Sequence, residues 1–408
     1  MDFPEKFDVV VVGGGPIGGI TAKGLASKGL CTLILEEHGS IGKPDHCAGL
    51  ISIDGLRRLG IAPTRGVILN KVRGATIFSP SGAHLTVERQ YEQACVVDRV
   101  SLDRQIVDEA IRAGSWLALN ARASLLDISQ EAALVTVDVG DPKSSRNKKK
   151  VRSELVASCD GALAGLSKQV GLDTPNPQMR LYATQFEMSK VNLERDDIVQ
   201  IHLGRNYALG FFAWVIPTGS DSARVGLASK VPGTMARLKY FISSHHPSSE
   251  MFSKAKIDRT YGGIVLTGGP TRTAYSERFL AIGDCAGQTK PTTGGGVITG
   301  GTCAKIAVQV MMESAEAADF SKGFLRRYQK IWRRELGREL FAMLQVRHVL
   351  NCLPDRLIDR MISGASKSGL TSLIEKQGDI DRQSHLIRDA FTDPKIIVGT
   401  LFSILGIS

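Results

Sequence analysis

Three well-separated segments of this 408-residue chain carry turns and side chains suited to chemistry. In the first, the apolar run Asp8–Val12 ends in Gly13, Gly15 and Gly18, and a second apolar run, Leu33–Leu35, ends in Glu36. Glycine at these spacings suits a strand–turn–helix that receives a pyrophosphate. Gly13 allows the tight turn, Gly15 lets the backbone approach the phosphates, and Gly18 lets the helix pack close to the strand. The helix start then offers unbonded N–H groups and the positive end of its dipole. Glu36 stands 18 positions after Gly18, near the ~20 expected of a carboxylate that accepts ribose hydroxyls. The unit predicts a bound dinucleotide, and the glycines alone do not separate FAD from NAD.

The second segment runs from Lys43 to Gly49 and contains His46 and Cys47. The third begins at Gly283 and Asp284, continues through Pro291, and ends in Gly294, Gly295, Gly296 and Val297. There a buried strand ends in an Asp able to accept from a sugar-alcohol hydroxyl. Glycines before a helix start can cradle a phosphate or the O2 edge of a flavin. Another buried strand ends at Asp160 and Gly161. Cys47 fits two readings, a small buried hydrophobe or a functional thiol beside a cofactor. His46 reads as a loop residue or a proton donor, and Cys285 as packing. Phe212 and Trp214 alternate with Ala213 and so face one side of a strand; core packing and an apolar ligand wall explain them equally. His245 and His246 precede a proline and read as a turn. No His, Cys or carboxylate spacing supports a metal.

These segments need elements to position them. Alternation over 71–97 predicts strands about the turn Ser79–Gly82, and apolar positions 102, 106, 107, 110 and 111 predict a helix over 98–113. Residues 115–139 read as strands, 141–150 as a basic hairpin turn that is either solvated or a membrane-surface contact, and 180–270 as a sheet. Helices are expected over 296–313, 320–350 and 354–375. Hydrophobic residues make up 43% and charged residues 23%, as in ordinary globular proteins, and the length calls for two or three subdomains. Seven irregularly spaced cysteines, without a CxxC pair, read as reduced thiols of a cytoplasmic protein. No uncharged apolar run reaches about 18 residues, so no spanning helix is expected, and no signal peptide precedes the first strand. The net charge of +10 marks a solvated basic surface or one that meets anionic headgroups. No nucleic-acid motif is present.

The first βαβ unit together with Asp160-Gly161 and Gly283-Asp284 resembles the FAD-binding pattern of p-hydroxybenzoate hydroxylase-type flavoproteins. Within that group the chain resembles the geranylgeranyl reductase family. The likeness lies in Pro44–Gly49, in Phe212–Gly219 followed by Val225-Gly226, in Gly283–Val297, and in Gly378–Asp381 before Leu386. Together these span nearly the whole chain, and archaeal enzymes that saturate geranylgeranyl chains of membrane lipids are the members most alike. The expected fold class is α/β with an α+β insert. It comprises a discontinuous Rossmann-like FAD-binding domain (1–70, 95–175 and 271–313), an inserted antiparallel-sheet substrate domain (71–94 and 176–270), and a C-terminal helical region (314–408).

The resemblance implies FAD contacts residue by residue. Gly13, Gly15, Ile17 and Gly18 would meet the pyrophosphate, and Glu36 the adenosine ribose. Cys47, Ala48 and Gly49 would run alongside the isoalloxazine, Arg99 near the phosphates or ribityl chain, and Ala123 beside the adenine. Asp284 would hold the ribityl chain, and Gly295, Gly296 and Val297 the pyrimidine edge. Phe212, Trp214 and Pro217 would wall a prenyl tunnel. Two segments depart from the family: Thr218 stands where a lysine usually follows the proline, and Ala48-Gly49-Leu50 replaces Ala-Glu-Gly. The activity implied is reduction of C=C bonds in a geranylgeranyl lipid, with a water or the Cys47–His46 region relaying a proton. Implied with it are NAD(P)H or a ferredoxin-like protein as electron donor, and a cytoplasmic enzyme held peripherally at the membrane. The other readings are a flavin-dependent monooxygenase or halogenase, a reductase of a quinone or chlorophyll side chain, and a non-catalytic FAD-bearing lipid-binding protein.

Overall fold

Val9–Val11 is fully buried, which accounts for a continuously apolar run rather than an alternating one. In the computed structural model, which describes residues 3–140, 147–244, 248–367, 375 and 378–392, it lies in the strand Lys6–Val12. That strand pairs in parallel with Thr32–Leu35 on one side and Asn147–Ser158 on the other, and Phe279–Ala281 pairs in parallel beyond. Four parallel strands therefore end along one edge of an eight-stranded sheet. Gly13, Glu36, Asp160 and Gly283 follow those ends, so one edge gathers turns that lie up to 270 residues apart in sequence. Such an edge is where open α/β sheets bind ligands.

The hairpin Ala121–Ile128 and Ala133–Val139 pairs antiparallel onto Asn147–Ser158. Asn147–Lys150, read above as turn, extends that strand, with Lys148 opposite Asp138 and Lys150 opposite Thr136. The ladder's register decides here over the polar composition; residues 141–146 of the expected turn lie outside the described residues. The first helix, Pro16–Ala26, crosses Arg99–Arg112 at Gly19, where an added Cβ would stand 2.8 Å from Ile106. Asp98 caps the second helix by accepting from the Ser101 N–H at 3.0 Å.

A seven-stranded sheet runs in the order Lys256–Leu266, Arg180–Ser189, Ser222–Ser229, Ala213–Pro217, Ile198–His202, Gly74–Phe78, His84–Glu88. It is mixed rather than wholly antiparallel, because Ile198–His202 pairs in parallel with Gly74–Phe78. One face buries Phe186, Val215, Val225 and Leu227 with Phe241 of the helix Thr234–Ser244. The other buries Val199, Trp214, Ile216 and Ala228, with Ala48 packed against them. A small sheet of Leu50–Ser52, Ala94–Val97 and Ile68–Val72 completes the β structure among the described residues.

The C-terminal helices begin with Val297–Glu316 and the 31-residue Lys322–Cys352. The longer helix buries Leu325, Tyr328, Trp332, Leu336, Leu340 and Met343, a stripe at three- and four-residue spacing. Asp355–Lys367 and Ser384–Thr392 follow. Residues 368–374 of the expected last helix, and the expected turn at His245 and His246, lie outside the described residues. No helix among the described residues is long and apolar enough to cross a membrane.

Candidate cofactor site at the sheet edge

Gly13 adopts φ +103°, and a Cβ there would stand 2.4 Å from the Cys159 carbonyl oxygen. At Gly18 a Cβ would fall 1.8 Å from the Gly13 oxygen. At Gly15 it would meet nothing within 4 Å, so that turn faces open space. No side chain caps the first helix. Glu36 sits beside this turn: Oε2 accepts from the Gly14 N–H at 2.8 Å and Oε1 from the His38 N–H at 2.9 Å. A carboxylate has further lone pairs with which to accept hydroxyls. Ala121 donates to the Glu36 carbonyl at 2.8 Å, which brings the strand bearing Ala123 to the same corner. Ile17 packs where Cβ atoms on Gly283 and Gly300 would approach it within 3.1 and 2.9 Å, so the first and third segments touch.

Asp160 is occupied within the protein, accepting from Ser158 Oγ at 2.6 Å and the Leu166 N–H at 3.1 Å. Asp284 differs. It lies in a tight helical turn, Gly283–Ala286, and its carboxylate takes no hydrogen bond from the described residues. A Cβ on Gly296 would stand 2.6 Å from its Oδ1, so only glycine fits at this start of the helix Val297–Glu316, which no side chain caps. Burial raises the Asp284 pKa, and the Arg99 charge partly opposes this. Arg99 itself bonds Asp103 at 3.1 Å. Its pKa is raised although burial pulls it down, because the Cys47 sulfur and the Asp103 carboxylate face it. The Arg99 charge thus acts on both the Cys47 loop and Asp284.

A raised carboxyl pKa means that ionisation is disfavoured in the folded state. Charged Asp284 therefore destabilises the apoprotein above the unfolded value of about 4, and the penalty disappears below it. Asp284→Asn is expected to raise the apoprotein Tm at pH 7, with the gain fading toward pH 4. The same change should weaken FAD binding by roughly 10–100-fold through loss of a charged acceptor, measured by flavin fluorescence titration.

The Cys47 loop is fixed by residues not singled out in the sequence. Arg224, 2% exposed, donates to the Ala48 carbonyl at 3.1 Å, the Val97 carbonyl at 2.8 Å and Glu187 Oε1 at 3.2 Å. Gln185 donates to the Cys47 carbonyl at 3.4 Å and accepts from Trp214 Nε1 at 2.9 Å. Gly49 donates to Cys47 Sγ at 3.4 Å. His46 is exposed and lies over Gly263, where a Cβ would meet its own Cβ at 3.3 Å. Gln288 is buried and accepts from the Gly283 N–H at 2.8 Å while donating to Tyr328 Oη at 2.8 Å. The signal for Arg224 was its place directly before Val225-Gly226, and for Gln288 its place inside the third segment.

Phe211 and Phe212 stack at 4.0 Å between centroids, and Phe212 meets Trp214 edge-on at 6.2 Å. Ala48 packs against this cluster. Pro217 does not join it. Strand alternation directs Trp214 and Ile216 to the face that meets the Cys47 loop, and Pro217 with Ala213 and Val215 to the opposite face. Cys285 is fully buried and donates to the Ser158 carbonyl at 3.0 Å, as packing requires. Among the described residues no three His, Cys, Asp or Glu side chains are grouped to hold a metal.

Open space at Gly15, an unpartnered Asp284 carboxylate and two uncapped helix starts along one sheet edge fit FAD. The FAD binding domain family matches residues 6–244, more than half of the chain. A digeranylgeranylglycerophospholipid reductase of Methanopyrus kandleri is 30% identical, over 91% of this chain and 93% of its own. The chain belongs to the geranylgeranyl reductase family of flavoproteins. An uncharacterised Methanocaldococcus jannaschii protein is 34% identical over 94% of both chains. A geranylgeranyl bacteriochlorophyll reductase-like structure from Thermoplasma acidophilum superposes with a TM-score of 0.85, at 24% identity, over 98% of this chain and 99% of its own. This family member is an FAD-dependent oxidoreductase.

Proposed function

We propose that this flavoprotein saturates C=C bonds in the geranylgeranyl chains of a digeranylgeranyl glycerophospholipid. The observation that carries the reading is the aromatic cluster Phe211, Phe212 and Trp214, packed through Ala48 against the Cys47 loop. Reduced FAD would supply a hydride from N5. An isolated trisubstituted alkene accepts hydride poorly, so a proton must reach the less substituted carbon as the hydride reaches the other. Cys47 or His46, on the loop held by Arg224 and Gln185, is the source or relay of that proton. The aromatic wall holds the chain by burying apolar surface at roughly 25 cal/mol per Å² and keeps water from the reacting carbons.

The basic surface meets an anionic headgroup at the membrane, where the enzyme associates peripherally. Electrons arrive from NAD(P)H or from a small ferredoxin-like protein. The test compares two lipids under anaerobic conditions. Reduced enzyme should regain its oxidised-flavin absorbance with the geranylgeranyl lipid and stay reduced with the fully saturated lipid. Equal reoxidation by both, or by neither, would overturn the reading.

A further inference from the structure

The motif Gly378–Asp381 has no role in the site described above, yet it lies directly against it. Asp381 is 4% exposed and accepts from Lys290 Nζ at 2.9 Å and Arg58 Nη2 at 3.0 Å. Lys290 also donates to the Ile380 carbonyl at 3.2 Å. Asp379 holds the turn by accepting from the Asp381 and Arg382 N–H groups at 2.7 and 3.1 Å. Gln383 meets Thr292 at 3.1 Å, and Ser384 donates its N–H to Glu339 at 2.8 Å. Residues 378–384 therefore form a strap fastened to both the third segment and the long C-terminal helix.

Lys290 is the hinge of the loop that the strap grips. Its N–H donates to the Gly295 carbonyl at 3.0 Å, and its carbonyl accepts from Gly294 at 2.7 Å and Thr293 at 3.2 Å. Its Cε would lie 3.0 Å from a Cβ on Gly295. Arg347, from the long helix, supports the same loop by donating to the Pro291 carbonyl at 3.0 Å and to the Thr292 carbonyl. The turn that ends in Gly295, Gly296 and Val297 is thus backed by two buried cations: Arg347, which bonds backbone carbonyls, and Lys290, which is paired with the buried Asp381.

We propose that Asp381 is a positioning residue of the cofactor site. Through Lys290 it sets the Lys290–Gly296 turn, so seating of the strap and occupancy by FAD are one linked equilibrium. The proposal rests on the reading of Gly295–Val297 as the edge that meets the flavin pyrimidine. An uncompensated ammonium does not stay buried, so loss of the Asp381 charge moves Lys290 and the turn with it. Coupling is reciprocal: whatever loosens the strap weakens FAD, and FAD tightens the strap.

The test has two arms. The first is Asp381→Asn, which keeps the shape and removes the charge. Reconstituted with FAD, it should bind about tenfold more weakly and show shifted visible flavin bands and midpoint potential, changes that a purely structural lesion elsewhere would not produce. The second arm needs no variant. Trypsin should cleave the wild-type chain after the exposed Arg382 at least about fivefold more slowly with FAD than without. FAD affinity within twofold of wild type for D381N overturns the proposal. If D381N does not fold, a cleavage rate indifferent to FAD overturns it. A wild-type protein that binds no FAD would instead overturn the cofactor reading beneath it.

Discussion

Gly18→Ala is expected to yield a protein without bound flavin. A Cβ at this position falls 1.8 Å from the Gly13 carbonyl oxygen, a backbone atom that cannot rotate away. Gly13 is itself held at φ +103° with its own Cα facing the Cys159 carbonyl. Relief therefore requires the turn and the first helix to separate, which opens the packing of Ile17 on Gly283 and of Gly19 on Ile106. Changes of this kind, overpacking against fixed backbone, reach about 4 kcal/mol. The flavin absorbance of the purified variant and its Tm measure the effect. Stoichiometric flavin with an unchanged Tm would show that the turn does not serve the pyrophosphate.

Arg224→Met is expected to separate cofactor binding from turnover. The guanidinium joins three elements at once: the Cys47 loop, the small central sheet and the strand bearing Glu187. Methionine fills the volume but leaves the Ala48 and Val97 carbonyls without this donor, while Glu187 keeps Arg259 at 3.6 Å, a loss of about 2–3 kcal/mol. Lysine would not restore it, since one ammonium cannot span the fork. The residues proposed to meet the phosphates and ribityl chain, Gly13, Gly15 and Asp284, do not bond Arg224, so FAD content should stay near stoichiometric. Reduction of the lipid should fall by at least about 100-fold, because a small displacement of a positioning loop has that cost. Flavin content and single-turnover rate, measured on one preparation, decide the matter.

Much of this was legible in the sequence because it depends on local backbone demands. The glycines at 13, 15 and 18 and the strand ends at Glu36 and Asp284 are fixed by turn geometry and by buried parallel strands. Other features depend on register and on contacts between distant segments. Pro217 shares one short motif with Trp214, yet period-two alternation sends it to the other face of the sheet. Asn147–Lys150 looked like a turn because lysines favour solvent, and a half-exposed hairpin strand accommodates them as well. Arg224 and Asp381 stand beside or within family motifs, but their contacts are not legible there. Their partners, Ala48, Val97 and Lys290, lie 91 or more residues away in the chain, and nothing in a single sequence pairs them.

In the function proposed, a C=C bond of a geranylgeranyl chain is the acceptor of the electrons held by this flavoprotein. Mass spectrometry of the lipid after anaerobic single turnover tests it most directly. Purified protein reduced with dithionite and given a digeranylgeranyl glycerophospholipid should return lipid heavier by two hydrogens for each bond saturated, as the oxidised flavin spectrum reappears. Lipid of unchanged mass, with flavin that stays reduced until oxygen enters and then reoxidises rapidly, would contradict the claim and favour an oxygen-dependent flavoenzyme.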